Sequence, residues 1–353
     1  MNTMYASLRT IHSYLPEKLL SNQDLAKEFP DWKTENIYEK TGIATRAISG
    51  KDECASDLAF AACTKLFASG LIKRSEIDFL LLCTQSPDYF LPTTACILQD
   101  RLGLPTHCGA LDFNLGCSGY VYGLSIAKGL IASGSAKNVL LVTSETYSKF
   151  INKSDRSVRT IFGDGAAASL ISISDDPKDS IGPFVFGTDG RGAENLMVPA
   201  GGMRLPHSLA TSLEKESAGS KRSQDNLFMD GPKILTFTLR TVPALVRQLL
   251  QKSGQSIDSI DYFVFHQANK FMLNRLAEKI EIPREKFCIN MEDYGNTVSA
   301  TIPMALEKAA KDNHLKAGAK VMLIGFGVGY SWAGSIINLG AAPLFNKKGV
   351  SNG

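Results

Sequence analysis

The 353-residue chain predicts an α/β layered fold built from two copies of one unit. Three observations carry that reading. Short apolar runs alternate with segments of helical spacing along the chain. Landmarks of the first half return in the second at a near-constant offset. The pattern breaks near 171–185, in ISISDDPKDSIGP, where Asp, Pro and Gly mark a join.

The elements follow in order. EIDFLLLCT (76–84) has the length of a buried strand. From 117 to 133, Val121, Leu124, Ala127, Leu130 and Ile131 recur at helical spacing, and Gly134 closes the helix. KNVLLVTSE (137–145) is a second buried strand. FGDGAAA (162–168) reads as a tight Asp-Gly turn feeding the strand SLISIS, a structural role. GFGVG (325–329) follows a strand and leads into YSWAGSIINL, another strand. A dinucleotide loop would lead into a helix, so a backbone turn beside the active site fits better.

The duplication rests on matched landmarks. SEIDFLLLCTQ (75–85) resembles DSIDYFVFHQA (258–268), with the Ile-Asp pairs 183 residues apart. GSAKNVLLV (134–142) resembles KAGAKVMLI (316–324), with their valines 182 apart. Cys117 and Asn296 fall between these landmarks, 179 apart. The expected units are 1–175 and 176–345, followed by a frayed tail, 346–353. Residues 200–226 have mixed charge and little periodicity, which suits a lid or binding loop, or disorder.

Composition excludes several classes. At 44% hydrophobic and 21% charged, the chain can bury a large core. A net charge of +3 implies no nucleic-acid or membrane partner, and no apolar run is long enough to span a bilayer. MNTMYASLRT lacks the pattern of a secretory signal. The seven cysteines are odd in number and include no CxxC pair. That argues against a disulfide framework or zinc site and for a reducing cytoplasm.

Three residues carry candidate chemistry. Cys117, in NLGCSGYVYG, stands at the mouth of a helix, where unpaired N–H groups favour a thiolate and can bind a carbonyl oxygen. His266, in FVFHQAN, directly follows a buried strand, a place from which polar side chains reach clefts. Asn296, in DYGNTVSATIP, precedes the next helix and also suits an N-cap. Homologous halves would face Cys117 to Asn296 across a pseudo-twofold axis and bring His266 near both. A thiolate can then hold an acyl group, while a neutral His and an amide stabilise an enolate formed by decarboxylation. The same residue types serve papain-like proteases, where Asn orients His, but the local signature around the cysteine is absent. Arg240, Arg247, Lys252, Lys270, Arg275 and Lys279 lie on two expected helices, as a solvated face or a dock for an acidic carrier.

DFNLGCSGYVYGL, DRSVRTIFGDGAAA, HQAN, YGNTVSATIP and FGVGYSW, in this order and spacing, resemble β-ketoacyl-acyl carrier protein synthase III over nearly the whole chain. The resemblance implies a thiolase fold, with two duplicated halves in a five-layer αβαβα arrangement, and a homodimer. It implies Cys117 as the acylated nucleophile and His266 and Asn296 as the decarboxylation pair. The Cys117 and Val328 N–H groups become the oxyanion hole. It implies acyl-CoA or acyl-carrier thioesters as substrates, acyl carrier protein as partner and no permanently bound cofactor. Arg156, Asn269, Leu91, Lys40 and Lys270 become substrate-binding residues, Leu91 by reaching the partner's acyl pocket. Asn36 stands where bacterial members place a Trp on the coenzyme A adenine, Lys40 where they place an Arg, and Lys270-Phe271 where they place Leu-Arg. These departures leave a longer acyl group or a carrier-bound donor open beside acetyl priming. They also motivate a specialised relative acting in secondary-metabolite or surface-glycan chemistry. A type III polyketide synthase would carry Gly-Pro-Gly in the last motif, and a thiolase a second Cys; residues 325–332 carry neither.

Overall fold

Two sheets organise the chain in a computed structural model, which describes residues 5–30, 33–174, 176, 180–217 and 219–340. The first sheet contains β1 (Tyr5–Tyr14), β2 (Phe79–Cys83), β3 (Gly109–Phe113), β4 (Asn138–Glu145) and β5 (Gly165–Ser174). Its order is β1-β5-β4-β2-β3. The second contains β6 (Ile181–Thr188), β7 (Tyr262–Phe265), β8 (Lys320–Gly327) and β9 (Ser331–Asn338), in the order β7-β8-β9-β6.

The two sheets share one plan. An outer strand, β1 or β6, pairs antiparallel with β5 or β9. That strand pairs antiparallel with β4 or β8, which runs parallel to β2 or β7. The first sheet then adds parallel β3, where the second has only a parallel bridge between Phe263 and Phe287. Within the expected join, residues 175 and 177–179 lie outside the described residues, as does the tail 346–353.

Alternation within the strands decides how the layers stack. In β2 and β4, Leu81, Val139 and Leu141 face the central layer, while Leu80, Leu82, Leu140 and Val142 face outward. In β7 and β8, Val264, Val321 and Leu323 face the centre, while Phe263, Phe265, Met322 and Ile324 face outward. Helix α1 (Ala55–Ala68) covers the outer face of the first sheet. Helices α2 (Gly119–Ala132) and α5 (Thr301–Lys311) lie between the sheets and touch both. Helices α3 (Gly231–Ser253) and α4 (Lys270–Ile280) cover the outer face of the second. This is the five-layer αβαβα arrangement. Among the described residues, no helix is long and apolar enough to cross a membrane.

Most expected elements lie where the sequence put them. Gly134 has φ +76°, the left-handed conformation that lets it stop α2. The stretch 200–226 is tied by turns, side chains and one short antiparallel pair, Lys215–Ser217 with Ser220–Arg222. It leaves from Leu196–Met197 and returns by Phe228–Met229, two short strands that pair antiparallel. Its N–H groups at Ala200, Gly201 and Gln224 donate to carbonyls within the same loop, and His207 pairs with Asp225 at 3.0 Å.

Candidate active site

Turns at the ends of strands and helices converge on one cavity of about 500 Å³. Cys117, His266, Asn296 and Asn269 line it together with apolar Phe162, Leu196, Phe228, Met272 and Phe326.

Cys117 sits two residues ahead of α2 and is 5% exposed. Its sulfur accepts from the Val328 N–H and from its own. The Val328 donor comes from the turn between β8 and β9, so GFGVG is the backbone turn the sequence implied. Close approach explains the glycine that ends β8: a Cβ on Gly327 would lie 2.6 Å from Cys117 Sγ. The thiolate expected from the helix end is overridden. Burial pushes the thiol up to about 12, with the two N–H groups opposing, so the group is protonated at neutral pH.

His266 follows β7 directly and is 2% exposed. Its N–H donates to the Ile324 carbonyl at 2.8 Å, which sets the backbone at the strand end. Its Nδ1 lies 2.7 Å from Thr301 Oγ1, and the Phe326 ring packs edge-on at 5.6 Å. Burial pushes the imidazole down to about 3, against the Val298 carbonyl, so it is neutral.

Asn296 is not an N-cap. Helix α5 begins after a short 3₁₀ turn, Val298–Ala300, with Ala300 at the cap. Asn296 Oδ1 instead accepts from the Val298 N–H at 2.9 Å, which leaves the amide NH₂ as the group to offer. Its backbone bonds both ways to the FGDG segment: Asn296 N–H to the Ile161 carbonyl, and Gly163 N–H to the Asn296 carbonyl. A Cβ on Gly163 would lie 2.0 Å from the Tyr294 carbonyl oxygen, so that glycine permits the contact. The protease arrangement is absent, since the ring nitrogen of His266 meets Thr301 and the oxygen of Asn296 meets backbone.

The other expected residues are spread out. Asn269 lines the cavity, but its Oδ1 caps α4 by accepting from the Met272 N–H at 2.8 Å. Arg156 stands over the Phe29 ring at 5.6 Å, next to Ser157 of the cavity wall. Lys270 stands over the Tyr38 ring in a neighbouring groove, and Lys40 is exposed on the helix Thr34–Thr41. Leu91 is 82% exposed on a loop with Tyr89 and Phe90, away from the cavity of its own chain.

Sequence reasoning missed Thr301, Phe326 and Glu145. The last carried a signal, a carboxylate closing an otherwise apolar strand. Fully buried, Glu145 accepts from the Gln85 N–H and the Ser86 and Ser299 hydroxyls, joining β4 to the turn after Asn296. Burial raises it to about 8 despite those bonds. Among the described residues, no group of three or more His, Cys, Asp or Glu could hold a metal.

A buried thiol with two N–H donors at its sulfur, a neutral imidazole and an oriented amide in an apolar cavity suit acyl transfer and enolate stabilisation. The family model described as 3-oxoacyl-[acyl-carrier-protein (ACP)] synthase III matches residues 111–190, and its C-terminal counterpart matches 250–339. The chain is 36% identical to β-ketoacyl-[acyl-carrier-protein] synthase III of Clostridioides difficile, over 96% of this chain and 99% of the relative. A 2.1 Å crystal structure of 3-oxoacyl-(acyl-carrier-protein) synthase III is 52% identical, with TM-score 0.94 over 95% of this chain and 100% of that one. The Burkholderia xenovorans 3-oxoacyl-(acyl-carrier protein) synthase is 38% identical, with TM-score 0.88 over 98% of this chain and 97% of that one. The chain therefore belongs to the β-ketoacyl-[acyl-carrier-protein] synthase III family, condensing acyltransferases of the thiolase fold.

Proposed function

We propose that Cys117 accepts an acyl group from an acyl-CoA or acyl-carrier thioester, and that the chain condenses it with a malonyl-carrier thioester. In acylation the sulfur–carbon bond to Cys117 forms, the donor's thioester bond breaks, and the cysteine proton leaves with the donor thiol. In condensation the malonyl group loses CO₂, and the electron pair passes to an enolate oxygen held by His266 and the Asn296 amide. The enolate carbon then attacks the Cys117 thioester, giving a 3-oxoacyl product. Cys117 leaves as a thiolate and takes a proton from water. The Cys117 and Val328 N–H groups hold the thioester oxygen at each attack.

One observation carries this reading: Cys117, His266 and Asn296 line a single apolar cavity. Excluding water there strengthens every hydrogen bond to a developing oxyanion. Asn269 and Arg156 contact the arm of the donor or carrier. Lys40 and Lys270 offer cations to carrier phosphate or carboxylates at the neighbouring groove. The exposed Leu91 loop enters a second copy's acyl pocket in a homodimer. The setting is the cytoplasm, and no permanently bound cofactor takes part.

The test is intact-protein mass spectrometry after mixing with a panel of acyl-CoA and acyl-carrier thioesters. One acyl mass should appear on the wild type, be absent in Cys117→Ala, and be discharged by malonyl-carrier thioester. An adduct that survives Cys117→Ala sinks the assignment.

A further inference from the structure

A hydroxyl holds the inner side of the His266 ring. Nδ1 lies 2.7 Å from Thr301 Oγ1, and the same oxygen lies 2.9 Å from the Val298 carbonyl oxygen, which also faces the ring. Thr301 is fully buried, so bulk water does not compete for these contacts. With Nδ1 turned to Thr301, His266 lines the cavity.

A hydroxyl has one hydrogen and two lone pairs. With its hydrogen on the Val298 carbonyl, Thr301 can only accept from the ring. Nδ1 then carries the proton and Nε2 presents a lone pair. With its hydrogen turned to Nδ1, Thr301 donates, and the ring proton must sit on Nε2. The two half-reactions need these opposite states. Taking the proton from a thiol that burial keeps protonated needs the lone pair. Holding an enolate oxygen needs the N–H.

We propose that Thr301 is a positioning residue whose rotating hydroxyl lets neutral His266 accept a proton at Nε2 in acylation and donate a hydrogen bond from Nε2 in decarboxylation. The inference rests on the roles proposed above for Cys117 and His266. The proton balance closes. The proton taken from Sγ passes from Nε2 to the leaving donor thiolate, so the ring ends acylation neutral. The later change of tautomer gains one proton at Nε2 from water in the cavity and gives the Nδ1 proton to cavity water when the imidazolium turns away from Thr301, so the ring ends neutral with its proton on Nε2.

The backbone is built for this bracket. Val298 has φ +55°, a left-handed conformation that a β-branched residue adopts only under constraint from its surroundings. That turn directs its carbonyl to Thr301 and its N–H to Asn296 Oδ1, 2.9 Å away. One strained residue thus orients both groups proposed to hold the enolate.

Thr301→Val keeps the shape and removes the hydroxyl. Nδ1 then faces only the Val298 carbonyl, an acceptor, and the ring locks as Nδ1–H. Acyl-enzyme formation from acyl-CoA should stay near the wild-type rate. Release of CO₂ and product from malonyl-carrier thioester should fall about a hundredfold, and Thr301→Ser should restore it. Imidazole ¹⁵N shifts on the wild type give a second reading that needs no variant to fold. The ring proton should move from Nδ1 to Nε2 when the enzyme is acylated. Equal losses in both half-reactions, no loss in either, no rescue by serine, or an unchanged tautomer on acylation would each overturn the proposal. His266→Ala separates it from the reading beneath it. Condensation surviving in His266→Ala defeats that reading. Condensation lost in His266→Ala but kept in Thr301→Val defeats only the role of Thr301.

Discussion

The ends of β2 and β7 occupy matching places in the two sheets, as do the turns that carry Cys117 and Asn296. In the sequence match Cys83 falls on His266. Cys83 is fully buried, and its thiol donates to the Leu115 carbonyl at 2.9 Å. Burial holds it well above the ordinary thiol range, and it lies outside the cavity lining. His266, on an equivalent strand end, lines the cavity. At the helix mouths the residues differ: the first half places a thiol, the proposed nucleophile, and the second an amide whose oxygen is tied to backbone. A shared frame thus sets where a side chain starts. Whether it reaches substrate depends on which side of the frame is hollow.

The largest expected effects lie in the second half. His266→Ala or Asn296→Ala should slow condensation about a hundredfold or more, because each removes a proposed donor to the enolate oxygen. Single-turnover measurement of CO₂ release checks this, and a loss below about threefold would break the contrast with Cys83.

Next comes the wall between the halves. In Gly327→Ala the new Cβ would lie 2.6 Å from Cys117 Sγ and 2.8 Å from its Cβ. Displacing the reacting sulfur should slow acylation about a hundredfold. Acyl-adduct time courses read the effect, and normal acylation would show that the turn yields freely.

Glu145 sharpens the comparison through pH. Its native value is raised to about 8 from an ordinary 4.5, so the unfolded chain ionises first as pH rises. Stability from this group is therefore full at acid pH and is lost as pH climbs from about 5 to 8. His266 has the opposite sign: lowered to about 3 from 6.5, it costs stability as pH falls below about 6.5. Glu145→Gln should flatten the decline above about pH 5 and leave the acid side unchanged, as read by Tm across the range. A decline unchanged by the substitution would remove Glu145 as its source.

The smallest effect belongs to Cys83. Cys83→Ala should cost about 1 kcal/mol of stability through its lost hydrogen bond. Acyl labelling should be unaffected, and a labelling defect would mean that the first-half strand end is wired to the chemistry.

Much of this was legible before any coordinates. Buried strands of four to eight apolar residues announced the sheets, and matched Ile-Asp and Val landmarks announced the duplication. Cys117 and His266 stood out because each follows or precedes an element end, where side chains meet clefts. The thiolate expectation failed because a helix end raises local potential, while desolvation depends on everything packed around the sulfur. Thr301 and Phe326 stayed hidden because each looks like ordinary core or helix-start chemistry until it is seen against the imidazole.

The amino-acid order by itself determined the local elements, the repeat and the candidate nucleophile, because periodicity, glycine placement and helix punctuation act over a few residues. Tertiary structure alone decided which groups share a cavity, which nitrogen of His266 meets Thr301 and which carboxylate is buried. Those outcomes join Cys117 to Val328, His266 to Thr301 and Glu145 to Ser299, across 35 to more than 150 residues of chain. Hydrogen bonding and desolvation at that range follow from how the layers close, and no local pattern encodes them.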